Sequence, residues 1–186
     1  MHLRRVVEPA TLPVGIEEAK ARLRVTSASA DGEIGALIAA AVSYLDGWRG
    51  ILGMCLEAQT WEGQIDAFPV AEIELPLGPV TSIASLRYLD PAGVEQTVAP
   101  ADYALVDAGA GRAWLYPAED FPWPATLNRP GAVRVSWVAG EGCPPALKEA
   151  VLARVEEFYD RPSGPALEAL RRSFADLIAP FRRHRI

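Results

Sequence analysis

Asp31-Gly-Glu-Ile-Gly-Ala-Leu-Ile-Ala-Ala-Ala-Val-Ser-Tyr-Leu-Asp-Gly-Trp-Arg-Gly-Ile-Leu-Gly-Met-Cys-Leu-Glu-Ala-Gln-Thr-Trp-Glu-Gly-Gln-Ile-Asp66 contains the change of period that decides the fold. In its first part Ile34, Leu37, Ile38, Ala41, Val42, Leu45, Trp48 and Leu52 recur at the i, i+3, i+4, i+7 spacing of a helix with one buried face. Asp31 stands where a cap is wanted, and Gly47, Gly50 and Gly53 weaken the far end. After Leu56 the period falls to two. Trp61, Gly63, Ile65 and Ala67 alternate with Glu62, Gln64 and Asp66, as in a half-buried strand.

Toward the N-terminus, Ile16 to Leu23 reads as a short helix with Glu17 and Glu18 in its first turn, where the helix dipole favours acids. Toward the C-terminus the two-residue period persists through short segments: Ile73 and Leu75, Val80 to Leu89, Val94 to Val98, Tyr103 and Leu105, Arg112 to Tyr116, and Val133 to Val138. Asp90-Pro-Ala-Gly93 is a turn by composition. Helical period returns after Pro144-Pro145, with an apolar stripe of Leu147, Val151, Leu152, Val155 and Phe158 and with Lys148, Glu149, Arg154 and Glu156 outside. A last helix puts Leu167, Leu170, Phe174, Leu177 and Ile178 on one face. The expectation is an α+β fold: a four-helix body from residues 1–55 and 139–186, with an antiparallel β-rich block, 56–138, inserted into it.

The chain has 186 residues, half of them hydrophobic, and a formal net charge of −6. An acidic body disfavours nonspecific grip on a nucleic-acid backbone. No segment has the length of a signal-peptide core or a membrane span, so a soluble cytoplasmic protein is expected. Two distant cysteines, Cys55 and Cys143, suggest small semi-buried thiols rather than a disulfide framework or a zinc site. The only histidines, His2 and His184, lie near the two ends. No nucleophile elbow or phosphate loop is present, and Gly109-Ala-Gly111 has no helix after it. No catalytic residue, metal or cofactor is therefore expected. Trp48, Trp61, Trp114 and Trp137 read as core residues.

Two features remain. Glu119 and Asp120 precede Phe121-Pro-Trp123. This reads first as a surface loop pinned by its aromatics, and second as part of a carbohydrate-binding or hydrolytic module using Glu119, Asp120, Trp114 and Trp123. The other is the ending, Leu177-Ile-Ala-Pro-Phe-Arg-Arg-His-Arg-Ile186. Pro180 stops a helix, and a basic arm follows that is opposite in sign to the body. A small DNA-binding regulator using this tail is a third reading.

Several segments, in order, resemble one family. They are Pro13-Val-Gly-Ile-Glu-Glu-Ala-Lys-Ala-Arg-Leu-Arg-Val25, the helix from Asp31 to Val42, Gln59-Thr-Trp61 and Leu75-Pro-Leu-Gly-Pro-Val-Thr-Ser-Ile83. Val133-Arg-Val-Ser-Trp-Val-Ala-Gly-Glu-Gly142, Pro145, Leu147-Lys148 and Leu177-Ile-Ala-Pro-Phe-Arg182 complete the set. The chain resembles the head–tail connectors, or adaptors, of long-tailed phages and of related gene transfer agents, with Phe181 where a tyrosine is common. The resemblance implies a structural subunit in the neck of a virion or phage-like particle. Its partners would be the portal protein, neighbouring copies in a ring of about twelve, typical of such assemblies, and the next tail component, with DNA passing through. It also implies that the C-terminal arm meets the portal through Ile178, Pro180, Phe181, Arg182, Arg183, Arg185 and Ile186. The acidic body suits a conduit through which DNA slides.

Overall fold

The computed structural model describes residues 1–107 and 111–182. The fold is α+β, with four α-helices and two antiparallel sheets among the described residues. The chain divides into two compact units, Met1–Ala10 with Ala58–Glu141, and Thr11–Glu57 with Gly142–Ile186.

The first unit holds the strands β1 (His2–Val7), β2 (Gln59–Ile65), β3 (Ile73–Leu75), β4 (Val80–Leu89), β5 (Glu95–Thr97), β6 (Tyr103–Asp107), β7 (Ala113–Pro117) and β8 (Val133–Ala139). Their order is β1-β2-β8-β4-β5 in one sheet and β3-β7-β6 in the other. β8 sits at the centre because Val133, Val135, Trp137 and Ala139 supply a buried face, and Trp137 donates its indole N–H to the Leu77 carbonyl at 3.2 Å.

β1 corrects the sequence reading, which gave residues 1–10 to the helical body. Met1–Ala10 belong to the β unit instead, and within them His2–Val7 pair antiparallel with β2. Arg4 stands opposite Glu62 and bonds it at 3.2 Å, and the Arg5 guanidinium lies 5.8 Å from the Trp61 ring centre. Glu62, expected outside, is buried and also accepts a hydrogen bond from Gln64 at 3.2 Å. The added strand therefore brings a cation to a buried carboxylate.

The second unit holds α1 (Ile16–Leu23), α2 (Asp31–Leu45), α3 (Pro145–Asp160) and α4 (Gly164–Ile178). One apolar core joins them through Ala19, Ile34, Ile38, Leu45, Leu147, Val151, Phe174 and Ile178. Asp31 does not cap α2. A 3₁₀ turn, Ala28–Ala30, precedes the helix; Ser27 accepts from the Ser29 N–H, and the Asp31 carboxylate lies 2.9 Å from the Lys20 ammonium. That hydrogen bond raises the Lys20 pKa against the opposing effect of desolvation.

α2 stops at Leu45, short of the expected Leu52. The Asp46 carboxylate accepts from the Leu56 N–H at 2.8 Å, Gly47 turns at φ 75°, and its N–H bonds the Met54 carbonyl at 2.7 Å. A Cβ at Gly50 would stand 2.3 Å from the Leu45 carbonyl oxygen, so this loop requires glycine there. Leu52 still reaches the core, but Trp48 is 43% exposed rather than a core residue.

Candidate functional site

The C-terminal arm is built on α4. Pro165 opens this helix at a position where its missing N–H costs nothing. Of its apolar face, Phe174 and Ile178 are buried, while Leu167, Leu170 and Leu177 are half-buried. Beyond Ile178 the chain tightens into a 3₁₀ turn, Ala179–Phe181, closed by the Arg182 N–H on the Ile178 carbonyl at 3.1 Å.

The arm residues named from the sequence therefore separate. Ile178 is 1% exposed and belongs to the core, and Phe181 packs half-buried against that core. Pro180 and Arg182 are exposed. Arg183, Arg185 and Ile186 lie outside the described residues. In this conformation Ile178 and Phe181 seat the base of the arm on its own unit, and the surface on offer is Pro180 and the guanidinium of Arg182.

A polar clamp that the sequence reading did not single out joins α3 to α4. Buried Glu157 accepts from Arg154 at 2.6 Å and from Arg171 at 2.8 Å. Arg154, expected outside, instead lies over three rings: Tyr44 at 4.8 Å, Phe158 at 5.0 Å and Phe174 at 5.3 Å. Burial would raise the Glu157 pKa, but the hydrogen bond from Arg171 and the charge of Arg154 prevail and hold it below the usual carboxylate range. The readable signal was the i, i+3 spacing of Arg154 and Glu157 beside a helix carrying Arg171.

The aromatic loop is pinned. Trp123 stacks on Phe68, with ring centres 4.9 Å apart and planes 5° from parallel, and donates its N–H to the Ala71 carbonyl at 2.8 Å. Phe68 meets the Tyr88 ring edge-on at 5.5 Å. Trp114 sits on β7 opposite Glu74 and Val106, and Glu119 and Asp120 are exposed. Among the described residues no group of three or more His, Cys, Asp or Glu could hold a metal ion. Cys55 and Cys143 are buried and form no disulfide; burial, with the negative charge of Glu57, pushes the Cys143 thiol up to about 12, which keeps it protonated. Gly109 of the glycine loop lies outside the described residues.

These features define an α+β protein whose notable chemistry lies in its surfaces: a helical unit interrupted by an antiparallel β unit, with Pro180 and Arg182 exposed at the end of the described residues. No family profile matches the chain, and no curated protein matches it. Among solved structures it is similar to a chain in the neck of an empty gene transfer agent particle computed with C6 symmetry. The identity there is 24% and the TM-score 0.80, covering 100% of this chain and 97% of that one. It is also similar to a chain in the virion of a native gene transfer agent particle (25%, TM-score 0.77) and to one in the neck of a native particle computed with C12 symmetry (26%, TM-score 0.71), at the same coverage. The resemblance to the head–tail connectors thus extends from sequence segments to the fold of the whole chain.

Proposed function

We propose that this chain is a structural subunit of the neck of a phage-like particle, a head–tail connector that forms a ring under the portal and continues the DNA channel toward the tail. The observation that supports this most is the full-length similarity to gene transfer agent neck and virion chains, in which none of either unit is left over. The acidic composition agrees, since a wall of net negative charge does not hold a phosphate backbone. The basic arm agrees as well: arginine makes paired hydrogen bonds to carboxylates and is enriched at interfaces. In this reading Phe181 and Ile178 fix the base of the arm on its own core, while Pro180, Arg182 and the following Arg183, Arg185 and Ile186 reach the portal.

Negative-stain imaging of the chain mixed with its cognate portal ring tests the proposal. A second ring stacked on the portal is the expected result, and portal rings left bare would overturn it. Deleting residues 182–186 leaves Phe181 in place, so the melting temperature should stay unchanged while docking is lost. Docking that survives the deletion would remove the arm from the interface.

A further inference from the structure

A closed ring of identical copies needs two different faces on each copy that fit one another. We infer that one of them is the outer side of α2 with the Trp48 loop, and that it packs on the exposed flank of α4 in a second copy. This rests on the ring reading above and adds to it the surfaces that join the copies.

The outer side of α2 is unlike a solvated helix. Gly32, Ala36, Ala39, Ala40 and Ser43 are exposed, and from Ala36 to Tyr44 the helix carries no charge at all. Charged residues make up 23% of the chain, and the solvent face of a helix is where they collect. Small side chains along such a face let another helix come close. At the end of this face stand two exposed aromatics, Tyr44 and Trp48.

Trp48 is held out rather than left loose. Its loop is fixed on both sides by the Gly47 N–H on Met54, the Ile51 N–H on Tyr44 and the Asp46 carboxylate on the Leu56 N–H. A rigid tryptophan beside tyrosine and arginine is the composition of interface anchors. Arg49 follows it, exposed and without an ion-pair partner among the described residues.

The complementary face is on the same chain. Ala166, Ala169 and Ser173 line one flank of α4, exposed, and lead to Asp176, likewise unpaired among the described residues. Ala169, Arg172, Ser173, Asp176 and Leu177 line an open groove of about 460 Å³. Small residues meet small residues, the indole has a groove with an aliphatic wall, and a free cation has a free carboxylate. Among the described residues neither Arg49 nor Asp176 has an ion-pair partner, so the two charges can meet across copies. Every copy carries both faces once, which is what rotation about a ring axis uses, and similar chains occur in necks of C6 and C12 symmetry.

The test uses the full chain with its portal, read by negative stain and native mass spectrometry. Ala40→Arg puts a good helix former on an exposed position, so its thermal melt should match the wild type. Ala40→Arg, Arg49→Glu and Asp176→Arg should each lower the fraction of chain in rings by about tenfold. The double variant Arg49→Glu/Asp176→Arg should return to within about twofold of the wild type. Single variants that assemble normally, or a double variant no better than the singles, would overturn the assignment. So would rings that form normally but no longer bind the portal or the next tail component, because the face would then belong to another partner. A wild type that forms no ring would overturn the connector reading itself, whereas rings formed equally by wild type and Ala40→Arg would remove only the α2 face.

Discussion

α3 and α4 lie in one unit and have almost the same length, yet they are held in different ways. α3 buries Leu147, Ala150, Val151, Leu152, Ala153, Val155 and Glu157, so that it is covered nearly all round. α4 buries Phe174 and Ile178 and keeps the rest of its surface at least partly in water. What α4 lacks in apolar contact is supplied by a polar joint in which Glu157 takes Arg154 and Arg171 together. Local openings draw on the elements with the fewest buried contacts, so the helix that carries the arm can leave the core at a lower cost than the helix beneath it. The difference assigns the structural role to α3 and the adjustable one to α4.

Three measurements would break or sharpen that contrast. The largest effect is expected at Leu147, fully buried on α3. Leu147→Ala should cost about 2–5 kcal/mol in a denaturant melt and should destabilise the whole helical unit. Phe174→Ala should act more locally. Amide exchange along α4 should speed up with its protection lost first, and the loss of global stability should stay below that of Leu147→Ala, because an undocked α4 no longer pays for the cavity. Equal global losses for the two variants would show that α4 is as integral as α3. The smallest effect belongs to the clamp. Glu157 has a folded-state pKa below its unfolded value of about 4.3, so its contribution is complete above that pH and disappears as pH falls through the lowered value. Acid should therefore loosen α4 before the β unit. Glu157→Gln should remove this pH dependence at a cost of about 1–2 kcal/mol, modest because Arg171 is mostly exposed.

Much of the architecture was legible where one face of an element is buried. β4 runs from Val80 to Leu89 as its alternation indicates, and β3, β8, α1 and α3 follow their periods closely. β1 was not legible, for the same reason. Along it only Leu3 is even half-buried, so no alternation marks it, and its role depends on partners far along the chain, Trp61 and Glu62. The end of α2 was misplaced because Trp48 and Leu52 continue the helical spacing by chance; the glycines at 47 and 50 are what a tight loop required there. At the site, the basic arm could be read as composition. That Ile178 and Phe181 turn inward could not, since an apolar residue near a terminus has the same appearance whether it anchors to its own core or to a partner's. Arg154 was read as a surface charge because single-sequence periodicity does not show that three rings from α2, α3 and α4 converge on it.

The interruption of the helical unit by the β unit sets an order of events during synthesis. α1 and α2 leave the ribosome while part of the core shared by Ile34, Ile38 and Leu45 is still untranslated, because Leu147, Val151, Phe174 and Ile178 lie on α3 and α4. The strands β1 to β8 can meanwhile complete their sheets, since β1 needs only β2 and the rest follow in one stretch. Two sticky helices therefore wait on the nascent chain behind a finished globule, and it is there that a holding chaperone would find its grip.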